Sequence, residues 1–260
     1  MDTKHLDTNP NMTKKEQKEK EKEPRYYSQE GFVTVELLRG FDAISRLFHG
    51  LESAGTECFI CGGYARWCAS PRVDKKNLPG DVDVYCPTDA DFTKARQMFE
   101  KEELEIRHEN ELAITYKITK KGKFRHVPGI QLIKPVKEGR VVTMGSMEEI
   151  LSSFDFTVVR AAITGPNTVL VDADFMHDEE AKVLRIKNIH CPVSSTLRCV
   201  KYAGKGYWLP LTQVLGLFLD WEGRSDDYRM RLIQFIKRME AREELTKEEI
   251  NELEAMMRRD

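Results

Sequence analysis

Asp81 and Asp83, two acidic residues separated by one position in Gly-Asp-Val-Asp-Val-Tyr, carry the clearest chemical signal in the sequence. In an extended strand residues i and i+2 point the same way, so both carboxylates share one face while Val82 and Val84 pack inward. Carboxylates that close repel each other unless a cation lies between them. The pattern suits one or two Mg²⁺ (or Mn²⁺) ions that also hold phosphate oxygens. Upstream, Gly62-Gly63 follows the apolar run Cys58-Phe59-Ile60-Cys61 and precedes a short helical stretch, Tyr64 to Ala69. A turn without Cβ atoms lets a ligand approach the backbone and leaves N–H donors for a triphosphate. Strand, Gly-Gly turn, helix and Asp-x-Asp strand together describe a nucleoside-triphosphate site.

A second group of chemically apt residues lies far downstream: Arg198, Lys201, Tyr202, Lys205, Tyr207 and Trp208. On a helix, positions 198, 201, 202 and 205 share a face. Arg198, Lys201 and Lys205 could there meet triphosphate oxygens while Tyr202 or Tyr207 stacks a base. The alternative is a helix end whose cations complement the dipole and whose aromatics are core. Arg66, on the helix after Gly62-Gly63, is a candidate phosphate ligand or else a surface arginine. His108, His126, His177 and His190 are scattered without metal-ligand spacing. Cys58 and Cys61 have a Cys-x-x-Cys spacing, but no second pair follows at zinc-site distance. The six cysteines, at 58, 61, 68, 86, 191 and 199, are expected to be reduced and mostly buried.

The elements that must position these residues follow from the apolar pattern. Residues 1 to 28 form a Lys/Glu-rich tail with no hydrophobic residue to bury in its run 14–24. Val35, Leu38, Phe41, Ile44, Leu47, Phe48 and Leu51 recur at helical spacing from Thr34 to Gly55. After the Gly-Gly unit and a loop with Pro71, Asn77, Pro79 and Gly80, the Asp81–Tyr85 strand is followed by a helix over 89–103. Two or three strands are expected over 104–133, ending in Gly129-Ile130-Gln131-Leu132-Ile133. Phe154 to Ile163 and Thr168 to Ala173 flank Gly165-Pro166-Asn167 as a hairpin, the first segment being open to a helical reading. Helices dominate from Pro192, and a last one opens at Thr246 with Glu249 three residues on, a capping-box signature. An α+β core over 29–190 followed by a helical subdomain over 191–260 is the expected organisation.

These residues resemble the polymerase-beta-like nucleotidyltransferase superfamily, in which Gly-Ser or Gly-Gly at a helix start precedes Asp-x-Asp on the next strand. The resemblance covers about residues 36 to 135, and the remainder looks like uncharacterised, often viral, members with a helical extension. It implies a mixed-sheet nucleotidyltransferase core and transfer of a nucleoside monophosphate from an NTP to a hydroxyl, releasing pyrophosphate, without a template. The acceptor would be an RNA end, a small molecule or a protein side chain. Asp81 and Asp83 would hold the metal, with Gly62 and Gly63 at the triphosphate. A third carboxylate is expected on a neighbouring strand, where this sequence has Gln131, whose amide oxygen can coordinate but cannot take a proton. Asp155, between two phenylalanines, is the first candidate substitute, with Asp172 and Asp174 behind it. The alternative is a relative that binds nucleotide or RNA without turnover.

Composition sets the outer bounds. The chain has 260 residues, 40% hydrophobic and 32% charged, with 41 basic against 43 acidic residues and a net charge of -2. Nucleic-acid contact would therefore need a local patch rather than a polycationic surface. With no apolar run of about 20 residues and no signal-like apolar core near the start, an intracellular, cytoplasmic protein without membrane contact is expected, virus-encoded in a host cell if the resemblance extends so far.

Overall fold

The structure, a computed structural model, describes residues 31–72, 79–119, 122–138, 141–189, 192–240, 246 and 248–249. The expected tail 1–28, Asn77, His190, Cys191 and most of the last expected helix lie outside the described residues. The elements run β1 (Phe32–Glu36), α1 (Phe41–Ser53), β2 (Phe59–Cys61), α2 (Gly63–Ala69), β3 (Val82–Tyr85), α3 (Asp89–Lys101), β4 (Glu105–Glu109), β5 (Ala113–Lys117) and β6 (Ile130–Ile133). They continue with β7 (Lys137–Glu138), β8 (Val141–Val142), α4 (Met147–Ser153), a 3₁₀ turn (Thr157–Val159), β9 (Ala161–Gly165) and β10 (Thr168–Asp172). The remaining elements are all helical: α5 (Phe175–Ala181), α6 (Pro192–Ala203), α7 (Leu211–Glu222) and α8 (Asp226–Glu240).

Eight strands form one sheet in the order β1-β10-β9-β2-β3-β6-β5-β4, and β7-β8 form a separate ribbon. Every pair in the large sheet is antiparallel except β3 with β6. The alternation in β3 decides its faces. Val82 and Val84 are fully buried with Ile60, Ile114, Ile130, Leu132 and Ile163 of neighbouring strands, under Ile44 and Leu47 of α1, Ala65 and Cys68 of α2, and Ala95 and Phe99 of α3. Burying each such valine stabilises the fold by roughly 1.5–3 kcal/mol. Asp83, between the valines, therefore faces away from this core.

The register sets a row of five side chains on that opposite face: Thr115 opposite Gln131, Gln131 beside Asp83, Asp83 opposite Cys61, and Cys61 opposite Ala162. Leu151 of α4 covers the Cys61–Ala162 end, with Phe154 and Tyr85 packed around it. Phe156, Val158, Leu184, Tyr202 and Tyr207 form a smaller core that fastens α6 to the strand layer.

Several expectations change. The helix expected from Thr34 starts only at Phe41; Phe32–Glu36 instead pairs antiparallel with β10. Val35 fits the helical spacing to Leu38 and equally the strand alternation with Val33, and an open edge of the sheet decides for the strand. Leu38 consequently stays exposed. The first arm of the expected hairpin is extended only from Ala161; Phe154 to Arg160 is irregular, with one 3₁₀ turn. Neither α4 nor α5 was anticipated, although Ser146 and Glu149 form a full capping box at α4. Three strands occupy 105–133, the 89–103 helix spans Asp89–Lys101, and Thr246 and Glu249 bond reciprocally as a capping box.

Candidate active site

β2 ends at Cys61, and the chain turns sharply through Gly62 into α2. Gly62 has φ 74° and ψ -135°, a backbone state that side-chain-bearing residues rarely adopt. Its N–H donates to the Ala161 carbonyl and its own carbonyl accepts from the Arg66 N–H, at 2.9 and 2.8 Å. A Cβ on Gly62 would stand 3.5 Å from Asp83 Oδ2, while one on Gly63 would meet nothing within 4 Å. The Gly-Gly turn and Asp83 therefore border the same space.

Asp81 is exposed just ahead of β3, and Asp83 is partly buried within it. The Val82 N–H donates to the Gly129 carbonyl at 2.9 Å, and a Cβ on Gly129 would meet the Gly80 carbonyl at 2.9 Å. Only glycine lets β6 come this close to the chain leading into Asp81. This residue was missed as a site element; its signal was a Pro-Gly pair just ahead of a strand.

The electrostatics of Asp83 identify what surrounds it. Burial, and after it the charge of Asp81, push its carboxyl up to about 7, while Lys201 and Arg198 pull the other way. The charge of Asp81 thus opposes ionisation of Asp83, and the charges of Lys201 and Arg198 on α6 favour it. Tyr85, on the same face, is held well above the usual phenol range by burial and then by Asp83.

Asp155 is 2% exposed and accepts from Arg198 Nη1 at 3.0 Å and Ser195 Oγ at 3.3 Å through one oxygen, while Oδ1 is buried without a hydrogen bond. Its carboxylate is thus committed to α6, and it positions Arg198, whose side chain is half-exposed. Ser195 was not anticipated, because its partner lies 40 residues away in sequence. Asp172 is paired with Arg160 at 3.3 Å and Lys187 at 3.5 Å, and Asp174 with Lys187 at 3.1 Å, so neither is free to replace the third carboxylate.

Three further expectations are corrected. Arg66 turns inward: it is 6% exposed, 3.0 Å from Glu179 Oε1 and 2.6 Å from Tyr207 Oη, with its guanidinium near the rings of Tyr202 and Tyr207. It binds protein, and no face of it is left for phosphate. Tyr202 is 6% exposed, packed on Phe156 and Tyr207, and does not offer a ring for base stacking. Lys205 lies past the end of α6, its ammonium over the Tyr202 ring at 5.3 Å, so it leaves the face shared by Arg198 and Lys201. The helical face expected over 198–205 is thus divided, its first half at the site and its second half in the core.

Oxygen donors suit Mg²⁺ and Mn²⁺; Asp83 and the Gln131 amide offer them from paired strand positions, and Asp81 from just ahead of β3. Among the described residues no group of three or more His, Cys, Asp or Glu converges as a metal site.

The fold is a mixed α+β fold that solved CCA-adding enzymes share. A CCA-adding enzyme in complex with CTP superposes with a TM-score of 0.53 at 16% identity, over 86% of this chain and 55% of that one. The Thermotoga maritima CCA-adding enzyme complexed with tRNA gives 0.53 at 13%, over 86% and 54%. An apo CCA-adding enzyme gives 0.52 at 16%, over 76% and 49%. The chain spans about half the length of these structures, and at such identities the likeness is one of fold. By sequence, no curated protein matches the chain. The profile of the Gabija anti-defense 2 family matches residues 39–182, more than half of the chain, and the protein belongs to that family.

Proposed function

We propose that the protein is a template-independent, metal-dependent nucleotidyltransferase that moves a nucleoside monophosphate from an NTP to a hydroxyl acceptor and releases pyrophosphate. The observation that supports this reading is the approach of the Gly62-Gly63 turn to Asp83, where a Cβ on Gly62 would lie 3.5 Å from Asp83 Oδ2, together with the charges of Asp81, Lys201 and Arg198 acting on that carboxyl. Carboxylates and basic side chains around one glycine turn would suit a metal-bound triphosphate, in which negative phosphate lies between a metal and basic side chains.

In this reading Asp81 and Asp83 hold the metal, with the Gln131 amide oxygen beside them; a bound Mg²⁺ or Mn²⁺ would polarise the phosphate and lower the acceptor's pKa. Arg198, held by Asp155 and Ser195, and Lys201 bind triphosphate oxygens. The turn at Gly62-Gly63 lets phosphate approach the backbone. The core over 29–190 presents the carboxylates and the helical part over 191–260 presents the cations.

The family name sets its members against the Gabija defence. It is consistent with action inside a cell that carries that defence; our reading places this transferase in the cytoplasm, encoded by a virus and modifying a target there. Net charge -2 favours a compact hydroxyl-bearing acceptor over a long RNA, although the solved structures that share the fold include one complexed with tRNA.

A second reading has its own observation. Gln131 stands beside Asp83 where a third carboxylate is expected, so a protein that binds nucleotide or RNA without turnover is consistent with the same site. Incubation with α-labelled NTP, Mg²⁺ or Mn²⁺, RNA and cell extract separates the two. Labelling of an acceptor by wild type but not by Asp83→Asn supports the transferase; NTP binding with no labelling under any metal supports the second reading.

A further inference from the structure

Cys58 and Cys86 stand at the end of the β2–β3 ladder away from the Gly-Gly turn. The register pairs Phe59 with Tyr85, so the next step of the antiparallel ladder sets Cys58 opposite Cys86. Their sulfurs are 2.9 Å apart, and both thiols are free. Closing to a disulfide of about 2.05 Å needs a movement of less than about 1 Å. Cys86 is fully buried, whereas Cys58 is only partly buried. Cys61 and Cys68 are fully buried in the two cores.

We propose that Cys58 and Cys86 form a reversible disulfide by exchange with a low-molecular-weight disulfide, with Cys58 as the entry thiol and Cys86 as the resolving thiol. In the first step the Cys58 thiol loses its proton, and its sulfur attacks one sulfur of the small disulfide. That bond breaks and one small thiol leaves, giving a mixed disulfide on Cys58. In the second step the Cys86 sulfur attacks the Cys58 sulfur, the mixed bond breaks, and the second small thiol leaves with the Cys86 proton. Two protein thiols are oxidised and one small disulfide is reduced to two thiols, so no other oxidant is required.

The surroundings assign the roles. The hydrogen bond to Cys58 and burial both hold the Cys86 thiol protonated, which suits a group that reacts only after a neighbour has been activated. The Asp91 carbonyl lies 3.9 Å from Cys58 Sγ, and the Asp91 carboxylate accepts from the Glu57 N–H at 3.3 Å and takes the Thr88 hydroxyl. The extent of exchange is set by the surrounding thiol–disulfide ratio. The bond would tie β2, which runs into Gly62, to β3, which carries Asp83. This inference does not depend on the proposed transfer chemistry.

The test equilibrates the full chain with mixtures of glutathione and glutathione disulfide, blocks remaining thiols with N-ethylmaleimide and maps unreduced peptides by mass spectrometry. The expected result is a Cys58–Cys86 cross-linked peptide, lighter by two hydrogens and reversed by excess glutathione. Cys86→Ser should stop at a glutathione adduct on Cys58, with its fold checked by circular dichroism. Wild type alone decides the matter: a lasting glutathione adduct on Cys58, or maleimide on both thiols at every ratio, would overturn the proposal.

Discussion

Asp83 of β3 and Gln131 of β6 lie side by side in the only parallel pairing of the large sheet's described strands, so a carboxylate and a neutral amide occupy adjacent positions on the open face. An acid at 131 would give Asp83 a second like charge, and the amide instead leaves a two-carboxylate site. Gln131→Glu should therefore strengthen divalent-metal binding by about tenfold, the equivalent of about 1.4 kcal/mol. Mn²⁺ titration followed by electron paramagnetic resonance measures it; equal or weaker affinity would remove Gln131 from the metal site.

The two glycines of the turn should respond differently to alanine. At Gly62 an alanine is forced into a positive-φ state, although its Cβ would make only an ordinary contact with Asp83, so Gly62→Ala should cost about 1–3 kcal/mol in a denaturant melt. At Gly63 there is open space, so Gly63→Ala should fold with wild-type stability and weaken NTP binding if phosphate occupies that space. Unchanged NTP affinity in the folded Gly63→Ala protein would place the triphosphate elsewhere.

Arg198 and Lys201 face the same carboxylate but carry different structural duties. Lys201→Ala should lower NTP affinity with little change in melting temperature. Arg198→Ala should lower both, because it leaves the buried Asp155 carboxylate without its ion pair, at a cost of about 1–3 kcal/mol after allowing for the half-exposed guanidinium. Isothermal titration with a non-hydrolysable NTP, alongside melts, separates the two effects. A Lys201→Ala protein with full affinity would contradict the cationic side of the site.

Glu179 gives a pH dependence that is independent of the nucleotide. Burial raises its carboxyl, but Arg66, Tyr207, Lys182 and Ser70 together outweigh burial and leave its pKa below the usual glutamate value. A depressed acid stabilises the fold above its unfolded pKa, and that contribution fades as pH falls through the folded value. The melting temperature should decline on the acid side of the ordinary glutamate range, and less so in Glu179→Gln. The variant should be less stable than wild type at pH 7, because Arg66 then lacks a buried counter-charge. A parallel decline in both proteins would show that this cluster does not govern acid stability.

What the sequence made legible was local. The Gly62-Gly63 turn and the alternating faces of the strand that carries Asp83 are readable because turn chemistry and strand alternation act over two or three residues. The helices at 41–53, 63–69 and 89–101 carried enough periodic apolar positions to be placed. What failed depended on distant partners. The fate of Arg66 is set by Glu179, 113 residues on, and that of Asp155 by Arg198, 43 residues on. Short amphipathic segments were equally ambiguous: Phe32–Glu36 fits either period, and its place at the sheet edge beside β10 decides it. The cationic cluster at 198–205 was read as one face because the end of α6 at Ala203 was not foreseen.

The central claim is that NTP binds between the Asp81/Asp83 pair and the α6 cations with a divalent metal. Thermal unfolding with each NTP, with and without Mg²⁺ or Mn²⁺, tests it most directly, because a ligand that binds only the native state raises stability by mass action. On wild type and Asp81→Asn/Asp83→Asn, the expected result is a rise in melting temperature with at least one NTP that requires the metal and disappears in the double variant. No shift with any NTP, or a shift that survives the loss of both carboxylates, would contradict the account.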